Sequence, residues 1–220
     1  MNMLSLDKVY FIGIGGIGMS ALARYFHLQE KQVGGYDKTE TVLTKSLIQE
    51  GIEIHYEDDN IPDWMFDANY EKSLVVYTPA IPESNKELKY FKQKGFNVYK
   101  RAEVLGFVTQ DAYTIAVAGT HGKTTTSALL AYVLRFCDID CTAFLGGLSN
   151  NYNTNLLFSK KGNVVVVEAD EYDRSFLKLS PDVVVITSVE PDHMDIYRND
   201  EDLNNTFQSF AKMVNQKGVL

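Results

Sequence analysis

The sequence predicts an α/β protein made of two consecutive open parallel sheets. Two observations carry that expectation. Short apolar runs alternate with longer amphipathic stretches along the chain, the pattern of strands joined by crossover helices. One opening, an apolar strand followed by a glycine-rich turn and a helix, also occurs twice, near residue 9 and near residue 113. The 220 residues suffice for two such units, expected at 1–106 and 107–220.

In chain order, the first strand is 9–12, its glycine turn 13–18 and its helix 19–26. A strand at 32–36 ends on Asp37. A helix over about 41–50 and a strand at 52–54 follow, then a strand at 74–77 running into the loop 78–82. A helix at 85–94, a strand at 97–99 and a helix at 102–107 complete the first unit. The second begins with a strand from Tyr113, a glycine loop and a helix over about 123–136. Strands near 142–144, at 163–168 and at 182–187 come next, then a helix near 201–214, with 218–220 reading as the start of another strand.

Composition limits the function. Hydrophobic residues make up 45% and charged residues 23%, ordinary for a soluble globular chain. A net charge of −8 argues against a nucleic-acid or anionic-membrane partner, because both need a basic surface. No apolar run approaches the ~20 residues of a membrane span, and no secretory signal is legible, so a cytoplasmic protein without membrane insertion is expected. Cys137 and Cys141 lack zinc spacing and read as small buried or half-buried residues.

The first turn, Gly13-Ile-Gly-Gly-Ile-Gly18, fits G-x-G-x-x-G, with Asp37 about 20 residues further on. Its physical content is a diphosphate at a helix N-terminus with a carboxylate near a sugar. NAD, FAD and a UDP-sugar fit equally, and a turn serving only strand–helix packing is the plain alternative. The second loop is Ala118-Gly-Thr-His-Gly-Lys-Thr-Thr-Thr126. Backbone N–H groups of Gly119, Thr120, His121 and Gly122 would cradle phosphates at a helix entrance carrying Thr125, Lys123 would reach a terminal phosphate, and the Thr124 hydroxyl would be free for Mg²⁺. The pattern G-x-x-x-x-G-K-[ST] has glycine where this chain has Val117, so the loop is a shortened form.

Two acidic strand ends accompany it: Glu168-Ala-Asp-Glu-Tyr-Asp173, and Thr187-Ser-Val-Glu-Pro-Asp-His-Met-Asp195. In open parallel sheets, ligands bind beyond the carboxyl ends of the strands, which would bring both clusters beside the phosphate loop. Oxygen ligands there suit Mg²⁺. On chemistry alone His193 could be an outer group or a general base. Standing alone, the cluster at 168–173 reads as a solvated loop capping the next helix. His27 and His55 read as surface or packing residues.

Taken together, these motifs resemble the Mur ligase family, ATP-dependent enzymes that build the peptide stem of peptidoglycan. The resemblance is carried by Gly13–Ser20, Ala118–Thr126, Gly146-Gly147 with Thr154-Asn155, Glu168–Phe176 and Asp192–Tyr197. It implies a Rossmann-like N-terminal domain that holds UDP-sugar instead of NAD, and a P-loop-type ATP-binding domain of which part is present. Gly15, Gly16, Ile17 and Gly18 would then approach the diphosphate, and Asp37 with the loop at Thr78, Pro79 and Ala80 would lie near uridine. Asn155 would contact the muramoyl group, Lys123 would bind ATP phosphates, and Thr124, Glu168 and His193 would hold Mg²⁺. Lys123, Glu168 and His193 are thereby implied as the catalytic set.

The implied reaction joins L-alanine to the lactyl carboxylate of UDP-N-acetylmuramate through an acyl phosphate, with ATP as the phosphoryl donor. A related branch that attaches a recycled tripeptide to the same sugar nucleotide is the nearer rival. An NAD-binding oxidoreductase and a catalytically dead nucleotide-sensing module are the more distant ones. Family members carry a third domain with no counterpart here, so the sequence reads as a fragment expected to be inactive alone.

Overall fold

The computed structural model describes residues 3–66, 68–191, 196–215 and 218–220. The chain divides into two compact units, Met1–Val104 and Leu105–Leu220.

The first unit runs β1 (Lys8–Ile12), α1 (Ile17–Leu28), β2 (Gln32–Tyr36), α2 (Val42–Gln49), β3 (Glu53–His55) and α3 (Asp63–Phe66). It continues through β4 (Ser73–Tyr77), α4 (Lys86–Lys94) and β5 (Asn97–Lys100), and the division falls within α5 (Arg101–Gln110). The five strands are all parallel, in the order β3-β2-β1-β4-β5. Strand order reverses between β1 and β4, so the crevice that binds ligands in such sheets opens at their carboxyl ends. Tyr10, Ile12, Val75, Leu88 and Phe91 form the core of one face, all fully buried. Local chemistry sets the helix starts. Thr41 and Thr44 form a reciprocal capping box for α2, and the buried Asn85 side chain accepts from Leu88 N at 2.9 Å to cap α4.

Beneath that core lies a polar cluster. The Tyr10 hydroxyl is 2.5 Å from His55 Nε2 and 2.8 Å from Glu87 Oε2. His55 Nδ1 is 2.8 Å from the Glu57 carbonyl, which can only accept, so Nδ1 carries a proton. Both bonds of the single Tyr10 hydroxyl are then satisfied only if one further proton resides on Glu87 or on His55 Nε2. Burial accordingly pushes the Glu87 carboxyl up to about 7 and pushes His55 down. A carboxyl raised in the folded state stabilises most below its unfolded value of 4.5, and that stability is lost as pH rises through about 7. Denaturant unfolding at pH 5 and pH 8 should therefore show Glu87→Gln gaining on the natural chain as pH rises, by up to about 3 kcal/mol. His55 shifts the opposite way and is present in both chains. A pH-independent difference would refute the raised carboxyl.

The second unit contains β6 (Tyr113–Ala118), α6 (Lys123–Phe136), β7 (Cys141–Ser149), β8 (Thr154–Leu157), β9 (Val164–Glu168), β10 (Val183–Ile186) and α7 (Asp200–Ala211). The strand order is β10-β6-β9-β7-β8, parallel except for the antiparallel pair β7–β8. This β7–β8 hairpin differs from the sequence expectation, which stops a strand near 144 and has none at 154–157. The turn at 150–153 is closed by Asn153 N to Ser149 O at 2.6 Å, with Asn153 at φ +50°. Asparagine tolerates that left-handed conformation, and so the chain reverses without glycine. Val219 makes an isolated parallel bridge with Val183. Both cysteines are free; Cys141 is buried, whereas Cys137, expected to be at least half-buried, is exposed just past the end of α6.

Candidate functional site

In the first unit β1 delivers the glycine turn to the carboxyl end of the sheet. Gly13 and Ile14 both donate to the Tyr36 carbonyl, at 2.7 and 3.0 Å, which ties the turn to β2. Gly13 has φ +88°, and a Cβ there would lie 2.7 Å from Thr78 Cγ2, so the turn presses against the loop after β4. Gly16 precedes α1 and gives that helix no side-chain cap. Asp37 accepts from Gly15 N at 2.7 Å through Oδ2 and from Thr39 N at 3.1 Å through Oδ1. It thus braces the turn and keeps a lone pair on each oxygen for a hydroxyl.

A cavity of about 560 Å³ opens here. Of the residues singled out from sequence, Gly16, Asp37, Thr78 and Ala80 line it, while Gly15 and Pro79 lie in the two loops that frame it and Ile17 and Gly18 open α1. The turn of the second loop is closed by Ile81 N to Thr78 O at 3.0 Å. Tyr36, Asp58 and Asn85 also line the cavity and were not expected. No local motif marks them, because they come from the end of β2, the segment after β3 and the cap of α4. Arg101, also unexpected, lies against Gly18, whose Cβ would sit 2.7 Å from its guanidinium. Asn155 belongs to the second unit and is fully buried in β8, where it presents no surface to a ligand.

In the second unit β6 ends at the loop 119–122, where Gly119 and Gly122 have φ +130° and +84°. A Cβ at Gly119 would fall 2.1 Å from Thr187 Oγ1, so the neighbouring strand end requires glycine there. Because β9 and β10 flank β6, their carboxyl ends border the loop. From β10, Ser188 Oγ accepts from His121 N at 3.1 Å and lies 3.0 Å from Thr120 Oγ1, while Thr187 Oγ1 donates to the Ala118 carbonyl at 3.1 Å. From β9, Glu168 Oε1 accepts from Thr124 Oγ1 at 3.1 Å, and its Oε2 accepts from Gly146 N at 2.9 Å. Lys123 Nζ donates to Gly119 O at 2.6 Å and to Glu171 Oε1 at 2.8 Å. Gly122 offers no side-chain cap to α6, and Thr124 and Thr125 stand exposed in its first turn.

His121 and Glu190 are 3.7 Å apart and both largely exposed, a pair of little energetic weight. His193, with Asp192 and Asp195, lies outside the described residues. Among the described residues no group of three or more His, Cys, Asp or Glu side chains converges on a metal position. Two residues of this site were missed as individuals: Ser188, which clasps the loop, and Glu171, the partner of Lys123. Glu171 sits in the acidic cluster visible in the sequence, but only the backbone path after β9 aims it at the lysine.

Two family models account for nearly the whole chain. One, described as Mur ligase family, catalytic domain, matches residues 8–113, and another, Mur ligase middle domain, matches 117–220. The chain belongs to the Mur ligase family. Among its relatives in that family, a UDP-N-acetylmuramate–L-alanine ligase of Porphyromonas gingivalis is 54% identical over 217 residues, covering 98% of this chain and 47% of that protein. The ligase of the same name from Flavobacterium psychrophilum is 53% identical over 222 residues, covering 100% of this chain and 49% of that one. Among solved Mur ligase structures, the UDP-N-acetylmuramate-alanine ligase MurC of Thermotoga maritima superposes with a TM-score of 0.83 at 30% identity, over 96% of this chain and 48% of that one. A UDP-N-acetylmuramate:L-alanyl-gamma-D-glutamyl-meso-diaminopimelate ligase from Neisseria meningitides reaches 0.84 at 24% identity, over 97% of this chain and 70% of that one, a likeness of fold. The chain spans about half the length of the curated relatives it matches. No helix among the described residues is long and apolar enough to cross a membrane.

Proposed function

We propose that this chain supplies the sugar-nucleotide and ATP sites of a ligase that joins L-alanine to UDP-N-acetylmuramate. The observation that carries the reading is 54% identity to an alanine-adding ligase over 98% of the chain, together with a phosphate loop built as that chemistry needs. The first unit is assigned the UDP-sugar. The N-terminus of α1 and Arg101 face the diphosphate, and Asp37 and the loop at Thr78 and Ala80 face the uridine. This replaces the NAD reading of the glycine turn.

In the second unit, loop N–H groups and Lys123 hold the ATP phosphates. The pairing of Thr124 and Glu168 is a set of hard oxygen donors, which fits Mg²⁺ completed by phosphate oxygens and water. His193 stays in this proposal as a metal-side residue implied by the family. Bound there, the metal would neutralise charge on the phosphates. The lactyl carboxylate attacks the γ-phosphorus, the bond to the β-phosphate oxygen breaks, and ADP leaves an acyl phosphate. The alanine amine then attacks the acyl carbon, loses a proton and expels phosphate. Every stage gathers negative charge, so the protein's contribution is position and compensating charge.

Because the relatives carry about as much chain again, ligation belongs in this proposal to the longer protein, and these 220 residues bind without ligating. Calorimetric titration of the chain with UDP-N-acetylmuramate should give saturable binding that NADH does not displace. Saturable NADH binding in its place would return the first unit to the oxidoreductase reading.

A further inference from the structure

We propose that Glu171 is a counter-ion that competes with nucleotide phosphate for Lys123, and that an incoming nucleotide has to draw the lysine away from it. The inference rests on the assignment of ATP to that loop. An ammonium has three N–H donors, and in Lys123 all are engaged: Gly119 O at 2.6 Å, Glu171 Oε1 at 2.8 Å and Thr120 O at 3.4 Å. The lysine is therefore folded back over its own loop, with nothing left for a phosphate unless one contact yields.

Glu171 cannot follow it. Its side chain has no exposure, against 14% for that of Lys123. Its carbonyl accepts from the buried Tyr197 hydroxyl at 2.6 Å and from Arg174 N at 3.0 Å. The next turns are fixed by Asp173 and Arg174, both left-handed at φ +52° and +53°, and by the double contact of Arg174 with Asp202 at 2.8 and 2.9 Å. Burial, followed by the charge of Glu171, pushes the Tyr197 phenol up to about 12.

Two effects of this arrangement have the same sign. The fixed carboxylate repels an approaching phosphate, and drawing the ammonium toward that phosphate weakens the compensation of a fully buried negative charge. A neutral isostere removes both while keeping an acceptor for Lys123. Glu171→Gln is accordingly expected to bind MgATP about tenfold more tightly than the natural chain. A merely structural contact predicts unchanged or weaker binding, so a gain separates the two roles.

The test pairs calorimetric MgATP titrations of the natural chain, Glu171→Gln and Lys123→Ala with thermal melts of the same chains and of the double variant. Lys123→Ala should abolish MgATP binding and lower the Tm by removing the ammonium paired with a buried carboxylate. Adding Glu171→Gln to it should recover most of that Tm. Equal or weaker MgATP affinity in Glu171→Gln, with Lys123→Ala still inactive in binding, overturns the counter-ion role and leaves the ATP assignment standing. If neither the natural chain nor Glu171→Gln binds MgATP, the ATP assignment fails and the proposal goes with it. A double variant no more stable than Lys123→Ala shows that the buried ion pair itself is not formed.

Discussion

Replacing Gly146 by alanine should weaken Mg²⁺-dependent ATP binding by about 10- to 100-fold, the usual effect of disturbing a group that orients a metal ligand. A Cβ at this position would lie 2.1 Å from Glu168 Oε1 and 2.5 Å from Oε2, and all three of its nearest atoms belong to that carboxylate. Gly146 is exposed within β7, so the side chain of Glu168 can swing away without disturbing the core. The fold survives and the damage falls on the carboxylate proposed to hold the metal. Alanine also crowds the approach to Gly146 N, which donates to Glu168 at 2.9 Å and sets its direction toward Thr124. ATP titrations with Mg²⁺ and with EDTA separate the outcomes. A loss of equal size in both would mean that Glu168 does not serve the metal.

The largest stability effect is expected at Gly35. This residue pairs with Phe11 on one side and Ile54 on the other, inside the parallel sheet of the first unit. A Cβ there would sit 2.2 Å from the Phe11 carbonyl oxygen and 3.0 Å from its carbonyl carbon. Those atoms are backbone in a central strand and cannot withdraw without breaking ladder hydrogen bonds. Overpacking a core costs about 1–3 kcal/mol and occasionally more, and an immovable neighbour places Gly35→Ala at or above the upper end. For a unit of this size that corresponds to a Tm lower by about 12–24 °C. Gly95→Ala is the control, since Gly95 has φ +80° but no atom within 4 Å of the added carbon, and it should lose only the smaller left-handed penalty. Calorimetry that found the two variants equally stable would sink the steric argument.

Much of this architecture was legible in the residues. The strands around Val9, Val75, Val117 and Val166 are continuous apolar runs, which a sheet covered on both faces demands. The two glycine loops were legible for a related reason: glycine between strand and helix marks where backbone must turn sharply or approach a ligand. Lys123, Thr124 and Glu168 could be named because each sits at a fixed distance from such a turn or strand end. The β7–β8 hairpin was not, because its turn is made by asparagine, a residue equally at home in an exposed loop. His55 was read as a surface or packing residue, and its hydrogen bond to Tyr10 depends on strands β1 and β3 lying two apart in the sheet.

What the sequence determined by itself is much of what depends on near neighbours: most of the strands, where helices begin, and where glycine turns join strand to helix. These follow from local sterics and hydrophobic period, and both act over a few residues. Which groups meet across those loops was decided by the tertiary structure alone. Strand order placed β9 and β10 on either side of β6, bringing Glu168, Thr187 and Ser188 to a loop some 50–70 residues away in sequence. Burial did the rest. Glu87 and Glu171 are written identically to any solvated glutamate, and their chemistry comes from the water they have lost. Burial raises the Glu87 carboxyl to about 7, and Glu171, without side-chain exposure, is paired with Lys123.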